Sequence, residues 1–247
     1  MADTRIKGLY LAPEHPALSR TQFTERWRQH HEFGKTIGHH GALIQLQQCD
    51  VLAGGTLLPD GRCLRDLQFL DDSPFGVGVT WLSPDSLARI VGNSGYDALH
   101  ADEIETFGNH VENFACMADE HVGWDDGDSA YKLFRFVSRH AGLSQAEFAE
   151  RLRGQHLGHA REAIRPHATR YVQNILAQNQ GLAASYLKNS SLSAYDAVIE
   201  VGFESLDAFV RMLAGHSDTL EASERQLVAR DPLVTVMTKV NVLIRET

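Results

Sequence analysis

The chain has 247 residues, of which 43% are hydrophobic and 22% are charged, as is typical of a soluble globular protein. No apolar run approaches the ~20 residues of a membrane span, so we expect no membrane partner. The formal net charge of −9, without any block of Lys and Arg, argues against nucleic acid as a partner, because that binding depends on clustered positive charge.

The N-terminal residues and the cysteines indicate the compartment. Residues 1–5 lack the basic and apolar regions of a signal peptide, and Cys49, Cys63 and Cys116 form no pair at metal-like spacing. We therefore expect a cytoplasmic protein in a reducing environment, whose cysteines are small buried side chains.

The predicted elements begin with a strand and a capped helix, and this pair occurs twice. Residues 5–12 alternate apolar and polar side chains before a proline, which predicts a strand, and residues 131–137 are its counterpart. Ser19 and Ser144 are each followed three residues later by Gln or Glu. This capping-box pattern predicts a helix start at both serines.

Further along each copy we predict a second strand, a third strand, a second helix and a last strand. These elements cover residues 42–53, 77–82, 83 onward and 111–122 in the first copy, and 168–177, 197–203, 205 onward and 233–244 in the second. The order of elements in each copy is therefore β-α-β-β-α-β.

One segment of the chain recurs in a related form. Residues 18–31 match residues 143–156, an offset of 125 residues from Leu18 to Leu143. The copies agree at a phenylalanine, a glutamate, two arginines and a final histidine. Because this offset equals a whole small domain, we predict two related domains in tandem.

The element order predicts the fold class α+β. We expect each copy to form a ferredoxin-like half, with an antiparallel sheet and both helices on one face. Since the bare face of each sheet must be buried, the two tandem halves are predicted to pack sheet to sheet as an intramolecular α+β barrel. The halves are residues 1–122 and 131–247, and the acidic, turn-rich residues 123–130 form the linker.

The histidines at the ends of the two repeated helices are candidate general bases. Phe23, Trp27 and His31 lie at i, i+4 and i+8, and therefore share one helix face, and His156 ends the same stripe in the second copy. We expect these histidines near the groove between helix and sheet, where desolvation favours the neutral imidazole. A hydrogen-bonded core histidine is the alternative.

Candidate substrate-binding residues are Trp27, His39, His40, Tyr171 and Asn174. At most one of His39 and His40 is expected to enter a pocket, because adjacent strand residues point to opposite faces. The Tyr171 hydroxyl can donate to a developing oxyanion, and Asn174 lies on the other face of the same predicted strand. Solvated loop histidines and ordinary sheet packing of the tyrosine are the alternatives.

Metal and cofactor sites are not predicted. His156 and His159 are three residues apart on a helix, and His167 or His40 could supply a third ligand, but no metalloenzyme motif surrounds them. Glycine-rich phosphate loops and the Gly-x-Ser-x-Gly motif are also missing from the sequence.

The first repeated helix resembles that of the EthD group in the dimeric α+β barrel superfamily, which reads Phe-x-x-x-Trp-x-x-x-His and here is formed by Phe23, Trp27 and His31. The second copy keeps the phenylalanine and the histidine but has lost the tryptophan. Residues 170–174 are similar to the family's second strand. The resemblance implies a pocket between sheet and helices for small, apolar and often aromatic molecules, and enzymes that commonly work without a bound cofactor.

Together these observations favour a cofactor-independent lyase, isomerase or dehydratase/cyclase. It would use histidine general acid–base chemistry on a small apolar, aromatic or carbonyl-containing metabolite, with His31 and His156 as bases. A non-catalytic small-molecule binding or accessory protein and a haem- or metal-dependent oxidase or monooxygenase are the alternatives. The expected partner is a small hydrophobic substrate, and a homodimer of the tandem chain stays open.

Overall fold

The computed structural model describes residues 5–38, 41, 43–91, 94–176, 187, 189–215 and 218–245, and the strands among them form one closed antiparallel barrel. The strands are β1 Ile6–Ala12, β2 Leu43–Val51, β3 Gly76–Leu82, β4 Ala115–Asp125, β5 Tyr131–Arg139, β6 Arg170–Leu176, β7 Ala197–Phe203 and β8 Val228–Ile244. Their order around the barrel is β1-β3-β2-β8-β5-β7-β6-β4, and β4 pairs with β1 to close the ring.

This architecture corrects the predicted fold class. Two ferredoxin-like halves packed sheet to sheet would leave the sheet edges unpaired, whereas here β2 pairs with β8 and β4 pairs with β6. Cys49 lies opposite Val240, and His121 lies opposite Gln173. Edge-to-edge pairing satisfies the backbone N–H and C=O groups that separate sheets would expose, so a single mostly-sheet barrel forms instead.

The division into domains at residues 123–130 stays a prediction. Strand β4 continues to Asp125, so the first three residues of the predicted linker are strand rather than turn. The connection from β4 to β5 is therefore shorter than the sequence pattern indicates.

Seven α-helices in the described part of the chain cover the outside of the barrel. They are α1 Arg20–Thr36, α2 Pro84–Val91, α3 Tyr96–Phe107, α4 Gln145–Arg151, α5 Leu157–Ala163, α6 Leu206–Ala214 and α7 Asp218–Leu227. Short 3₁₀ turns lie at Leu64–Asp66, Val111–Asn113 and Ser191–Ala194, and a π-helical segment, Leu152–His156, joins α4 to α5. None of these helices has the length and apolar character that a membrane crossing demands.

The two predicted helix starts are confirmed. The Ser19 side chain accepts from the backbone N–H of Gln22, and the Gln22 side chain accepts from the Ser19 backbone. Ser144 and Glu147 form the same reciprocal pair at the start of α4. Each pair satisfies backbone donors that the first turn of a helix leaves without partners.

Apolar side chains fill the barrel and both layers between barrel and helices. The interior cluster mixes strands from all around the ring and includes Leu9, Val77, Val79, Phe134, Phe136 and Val198. Under α1 and α3 an aromatic cluster contains Phe23, Trp27, Phe75 and Phe107, and under α4–α7 a larger cluster contains Phe148, Leu152, Tyr171, Phe203 and Phe209. Successive strand residues thus alternate between the interior and the helix-covered face.

Buried charges also lie inside the barrel. Glu200 on β7 forms ion pairs with Lys7 and with Lys132, whose Nζ is 3.2 Å from Oε2. Lys7 Nζ is also 2.8 Å from Glu120 Oε1, and Lys132 donates to Gln47 Oε1 at 2.7 Å. Charges this deeply buried are tolerated only when they are paired and hydrogen-bonded, as they are here.

Candidate functional site

The candidate site is a cavity of about 230 Å³ between the outer face of β5–β8 and the helices that follow β5, which we call the His156 cavity. Most of its wall is apolar, from Leu133, Ile164, Ile199, Val201, Met212, Leu213, Leu220 and Leu233. The polar side chains on the wall are His156, Tyr171, Arg135, Glu224, Glu221 and Thr235. An apolar cavity with a few convergent polar groups is typical of a small-molecule site.

His156 reaches this cavity from the π-helical segment. A π-helical turn inserts one residue into the helical ladder, and such turns are frequent at functional sites. Here the Leu152 carbonyl accepts from Gln173 Nε2 at 2.7 Å, so the sheet holds the irregular turn in place. His156 ends the segment and is only 2% exposed.

Burial lowers the pKa of His156 to about 4, with opposing effects from its neighbours. Glu224 acts to raise this pKa, whereas Arg135 and His159 act to lower it. The imidazole is therefore neutral near pH 7 and can accept a proton. Nδ1 lies 3.4 Å from the Ser223 hydroxyl, and within the described residues Nε2 has no hydrogen-bond partner.

Tyr171 on β6 presents a hydroxyl to the same cavity. Its ring stacks on Trp124, with centroids 4.8 Å apart and planes within 16°. Burial raises the pKa of Tyr171 well above its ordinary value, so the hydroxyl stays protonated and can act as a donor. The side chain of Gln173, two residues further along β6, lies beside this buried hydroxyl and, through a hydrogen bond with it, acts to lower the pKa against burial.

An ion pair completes the polar part of the wall. Arg135 on β5 binds Glu224 on α7, and each side chain is about one-fifth exposed, at 22% and 21%. Because Glu224 follows Ser223 on the same helix, the pair ties the helix that contacts His156 to the sheet. A neutral imidazole and a protonated hydroxyl therefore lie on the wall of the His156 cavity, next to this ion pair.

A second cavity, of about 140 Å³, lies under α1 and α3, and we call it the His31 cavity. Its wall includes His31 together with His30, Tyr10 and Glu103. His30 Nδ1 lies 2.7 Å from Asp102 Oδ2. Burial raises the pKa of Glu103 to about 7, and the nearby acidic residues act in the same direction.

The structure thus places the two predicted bases in different cavities, and their catalytic roles stay predictions. Tyr171 shares a cavity with His156, as expected for a substrate-binding residue. Trp27 lines neither cavity: it is fully buried, and its Nε1 donates to the Tyr10 hydroxyl at 3.0 Å.

Another predicted substrate-binding residue, Asn174, lines neither cavity. Asn174 faces the barrel interior, where its Nδ2 donates to Glu200 Oε1 at 2.8 Å and to the Val198 carbonyl at 2.9 Å. His39 and His40 lie outside the described residues.

The sequence analysis missed Arg135, Ser223 and Glu224. Arg135 lies between the apolar residues Leu133 and Val137 on the helix-covered face of β5, and a charged residue at such a position is a usable signal. Ser223 and Glu224 lie on α7, a helix that the sequence pattern did not separate from α6. No local pattern therefore indicated that these two residues lie near His156.

The size of the His156 cavity restricts what it can hold. An apolar cavity of about 150 Å³ binds benzene, so a cavity of about 230 Å³ takes a molecule of one or two small rings. The four-pyrrole macrocycle of haem is larger than this. The residues present therefore do not fit a haem in this cavity.

The EthD domain family model matches residues 140–230, which contain the π-helical segment, Tyr171, Ser223 and Glu224. No curated protein matches this chain.

Solved structures share the fold at low sequence identity. A protein from Fusobacterium nucleatum subsp. nucleatum ATCC 25586, provisionally described as a monooxygenase, is 10% identical, covers 98% of this chain and 95% of its own, and has a TM-score of 0.57. An anthrone oxidase-like protein is 10% identical, with coverage of 98% and 94% and a TM-score of 0.55. A protein provisionally described as a chlorite dismutase, also 10% identical, covers 96% and 95% at a TM-score of 0.50.

Proposed function

We propose that the chain is an enzyme of lyase, isomerase or dehydratase/cyclase type, with its reaction in the His156 cavity. The substrate is a small apolar metabolite that carries a carbonyl or a phenol. The observation that supports this proposal is the juxtaposition of a buried neutral histidine and a protonated tyrosine on the wall of one apolar cavity. Two proteins of similar fold are described as a monooxygenase and as anthrone oxidase-like, which supports a catalytic role.

In the proposed step, Nε2 of His156 takes a proton from the carbon beside the substrate carbonyl. The electron pair of that C–H bond moves into the carbonyl, whose oxygen becomes an enolate oxygen. Tyr171 donates a hydrogen bond to this oxygen, and Ser223 accepts from the Nδ1–H of the imidazole as positive charge develops. Return of the proton to another carbon gives isomerisation, and loss of a leaving group gives elimination.

A second candidate, a cofactor-free oxidase or monooxygenase, has the same first step. The anthrone oxidase-like neighbour supports it, because an anthrone is a ketone with an acidic C–H beside its aromatic rings. Deprotonation by His156 would leave a carbanion that reacts with O₂. Consumption of O₂ during turnover separates this candidate from the first.

A non-catalytic binding protein is the third candidate. For such a protein we expect both ring nitrogens of His156 to be hydrogen-bonded to other protein groups. Of the two ring nitrogens of His156, only Nδ1 has a hydrogen-bond partner in the described residues, which favours the enzyme.

We also propose a cytoplasmic location and a tandem duplication. The strand order supports the duplication, because the first four strands are ordered β4-β1-β3-β2 and the last four have the equivalent order β8-β5-β7-β6.

Proton abstraction can be tested before the natural substrate is known. The full chain is incubated in D₂O with a panel of one- and two-ring aromatic ketones, and deuterium uptake at the carbon beside the carbonyl is followed by mass spectrometry. The wild-type chain should accelerate exchange of at least one ketone. His156→Gln should lose ~10² to 10⁴-fold of that acceleration, the usual contribution of a general base.

His140→Gln, at an exposed histidine that directly follows β5, is the control and should exchange at the wild-type rate. His31→Gln shows whether the His31 cavity takes part. If a folded His156→Gln chain exchanges as fast as the wild type, His156 is not the base and the proposal is wrong.

A further inference from the structure

Two histidines outside the proposed catalytic site stack against each other: His100 lies within α3 and His110 follows the end of that helix. The helix ends at Phe107, and Gly108 adopts a left-handed conformation with φ of 69°, while its N–H donates to the Ile104 carbonyl. Glycine adopts this conformation without strain, so the chain turns back at this point. His110 is thereby placed on His100, with ring centroids 3.5 Å apart and planes within 5°.

Glu103 provides a carboxylate beside this pair. It lies one helical turn after His100, is only 7% exposed, and accepts from the Val111 backbone N–H at 3.0 Å through Oε2. The same oxygen is 3.5 Å from His110 Nδ1. One ligand atom from each of the three residues can be chosen so that all lie within 4.8 Å of one another.

Two ring nitrogens of this cluster are buried without a hydrogen bond. In the described part of the chain, His100 Nε2 and His110 Nδ1 have no hydrogen-bond partner, although both are shielded from solvent. Burial of a polar atom without a partner costs about 1–3 kcal/mol. A second carboxylate, that of Glu112, lies 3.9 Å from His100 Nε2.

We infer that His100, Glu103 and His110 form a binding site for a divalent transition-metal ion of the zinc type. Two imidazole nitrogens and one carboxylate oxygen are a donor set that Zn²⁺ prefers, whereas Mg²⁺ and Ca²⁺ prefer oxygen alone. Three protein ligands leave a fourth tetrahedral position for water or for Glu112. This site goes beyond the proposed function, because it lies in the first half of the chain and contains none of the residues of the His156 cavity.

Small side-chain movements complete the geometry. Ligand atoms on a tetrahedral Zn²⁺ are roughly 3.4 Å apart, given Zn–N and Zn–O distances of about 2.1 Å, so the cluster closes by shifts of about 1 Å. Parallel rings direct their lone pairs along parallel lines, and one imidazole must therefore tilt. His100 and His110 are 30% and 29% exposed, which leaves room for that rotation.

Metal affinity is the direct test. The purified full chain is stripped with a chelator, dialysed, and titrated with Zn²⁺ in competition with a chromophoric chelator. One Zn²⁺ per chain is expected. His100→Ala and His110→Ala should each weaken binding by at least the ~10–100-fold that loss of a second-shell partner costs in metal sites. Glu103→Gln should also weaken binding, while its amide oxygen still accepts from Val111.

His159→Ala is the matched control, since His159 is a similarly shielded histidine near His156, and its Zn²⁺ affinity should equal that of the wild type. Each variant is checked by circular dichroism, and Zn²⁺ should raise the Tm of the wild type but not of folded ligand variants. Folded His100→Ala and Glu103→Gln chains with wild-type affinity would refute the site.

X-ray absorption of the zinc-loaded wild-type chain gives an independent readout that needs no variant. Two imidazoles and oxygen ligands are expected around the ion. A first shell without histidine would overturn the assignment, and so would a loss of Zn²⁺ binding in His159→Ala alone.

Discussion

The Nδ1 atom of His156 and the hydroxyl of Ser223 lie 3.4 Å apart, and this contact joins the π-helical segment to α7. Ser223 is itself 7% exposed, so water does not compete freely for the ring nitrogen. When Ser223 accepts from Nδ1–H, the lone pair resides on Nε2, the atom available to a ligand.

We predict that Ser223→Ala lowers kcat and leaves KM nearly unchanged. The serine touches the imidazole and not the substrate, and its loss removes the hydrogen bond that selects the tautomer. A decrease of about 10-fold in exchange rate is expected, by analogy with the ~10-fold or greater cost of losing an orienting partner. Ser205→Ala, which removes a helix cap in the same half, is the control. A raised KM with constant kcat would place Ser223 in substrate binding instead.

The low pKa of His156 predicts a pH dependence of both activity and stability. Activity that requires the neutral imidazole should persist down to about pH 4 and fall below it. The unfolded histidine has a pKa of about 6.5, so between pH 6.5 and 4 the unfolded state binds the extra proton. The free energy of unfolding should therefore decrease as pH falls through this window, by up to about 3 kcal/mol from this group.

Urea denaturation at pH 7 and pH 4.5 measures this effect. The comparison is between the wild type and His156→Gln, since other groups titrate in both chains alike. The variant should show a smaller loss of stability on acidification. An identical loss in the two chains would show that burial of His156 does not control its protonation.

Tyr171→Phe should separate stability from catalysis. Because the buried hydroxyl forms a hydrogen bond with the Gln173 side chain, its removal should lower the free energy of unfolding by only about 0.5–1.5 kcal/mol, the net value of one hydrogen bond. If the hydroxyl donates to the enolate oxygen, the exchange rate should fall by about 10²-fold or more, as for a lost oxyanion donor. Tyr131→Phe is the control, and equal rates in both variants would exclude a catalytic Tyr171.

Trp27→Ala should be destabilising without an effect on ligand binding. The indole is fully buried, and it packs so closely on Gly76 that a Cβ atom there would lie 2.1 Å from Cζ3. Loss of such a side chain costs about 3–5 kcal/mol. Binding of a one-ring aromatic ketone, measured by calorimetry below the Tm, should match the wild type. Weaker binding with full stability would instead support the sequence prediction that Trp27 packs on a substrate.

Glu200→Gln should be strongly destabilising because it leaves Lys7 and Lys132 without their shared carboxylate. Breaking a buried charge pair costs about 3–5 kcal/mol. Burial acts to raise the pKa of Glu200, but the two lysines lower it to about 2. Its stabilising contribution is therefore complete above about pH 4.5 and is lost as pH falls toward 2. Urea denaturation measures the change.

Asp119→Asn on the exposed side of β4 is the matched control for Glu200→Gln and should change stability by less than about 0.5 kcal/mol. If Glu200→Gln unfolds at the wild-type urea concentration, the buried lysines must be neutralised in another way.

Local patterns in the sequence predicted local structure well. The capping boxes at Ser19 and Ser144 depend on residues three apart, so the helix starts could be read directly. The placement of Tyr171 and Asn174 on opposite faces of β6 follows from the alternation of a strand. The spacing around Trp27 predicted which helix face it shares, but not which residues that face contacts. Those contacts include Tyr10 and Gly76, which lie elsewhere in the sequence.

The sequence pattern could not predict contacts between distant parts of the chain. Whether sheet edges pair or sheets stack is decided by strands far apart in sequence, and the pairing of β2 with β8 overturned the stacked halves. The π-helical turn before His156 also had no signal, because its repeat partner lies in the regular helix α1. Arg135 and Glu224 are 89 positions apart in the sequence, so no local pattern could predict that they meet.

Strand β8 connects the strands of the first part of the chain with those of the second part. It pairs with β5 along one side and with β2 along the other, where Thr238 lies opposite Val51. Thr235 and Leu233, further back on the same strand, form part of the wall around His156. Substitutions in residues 43–51 can therefore alter the shape of the His156 cavity through β8, although these residues do not line it. The residues that are compatible with β8 in one part of the chain thus limit which substitutions β2 tolerates in another.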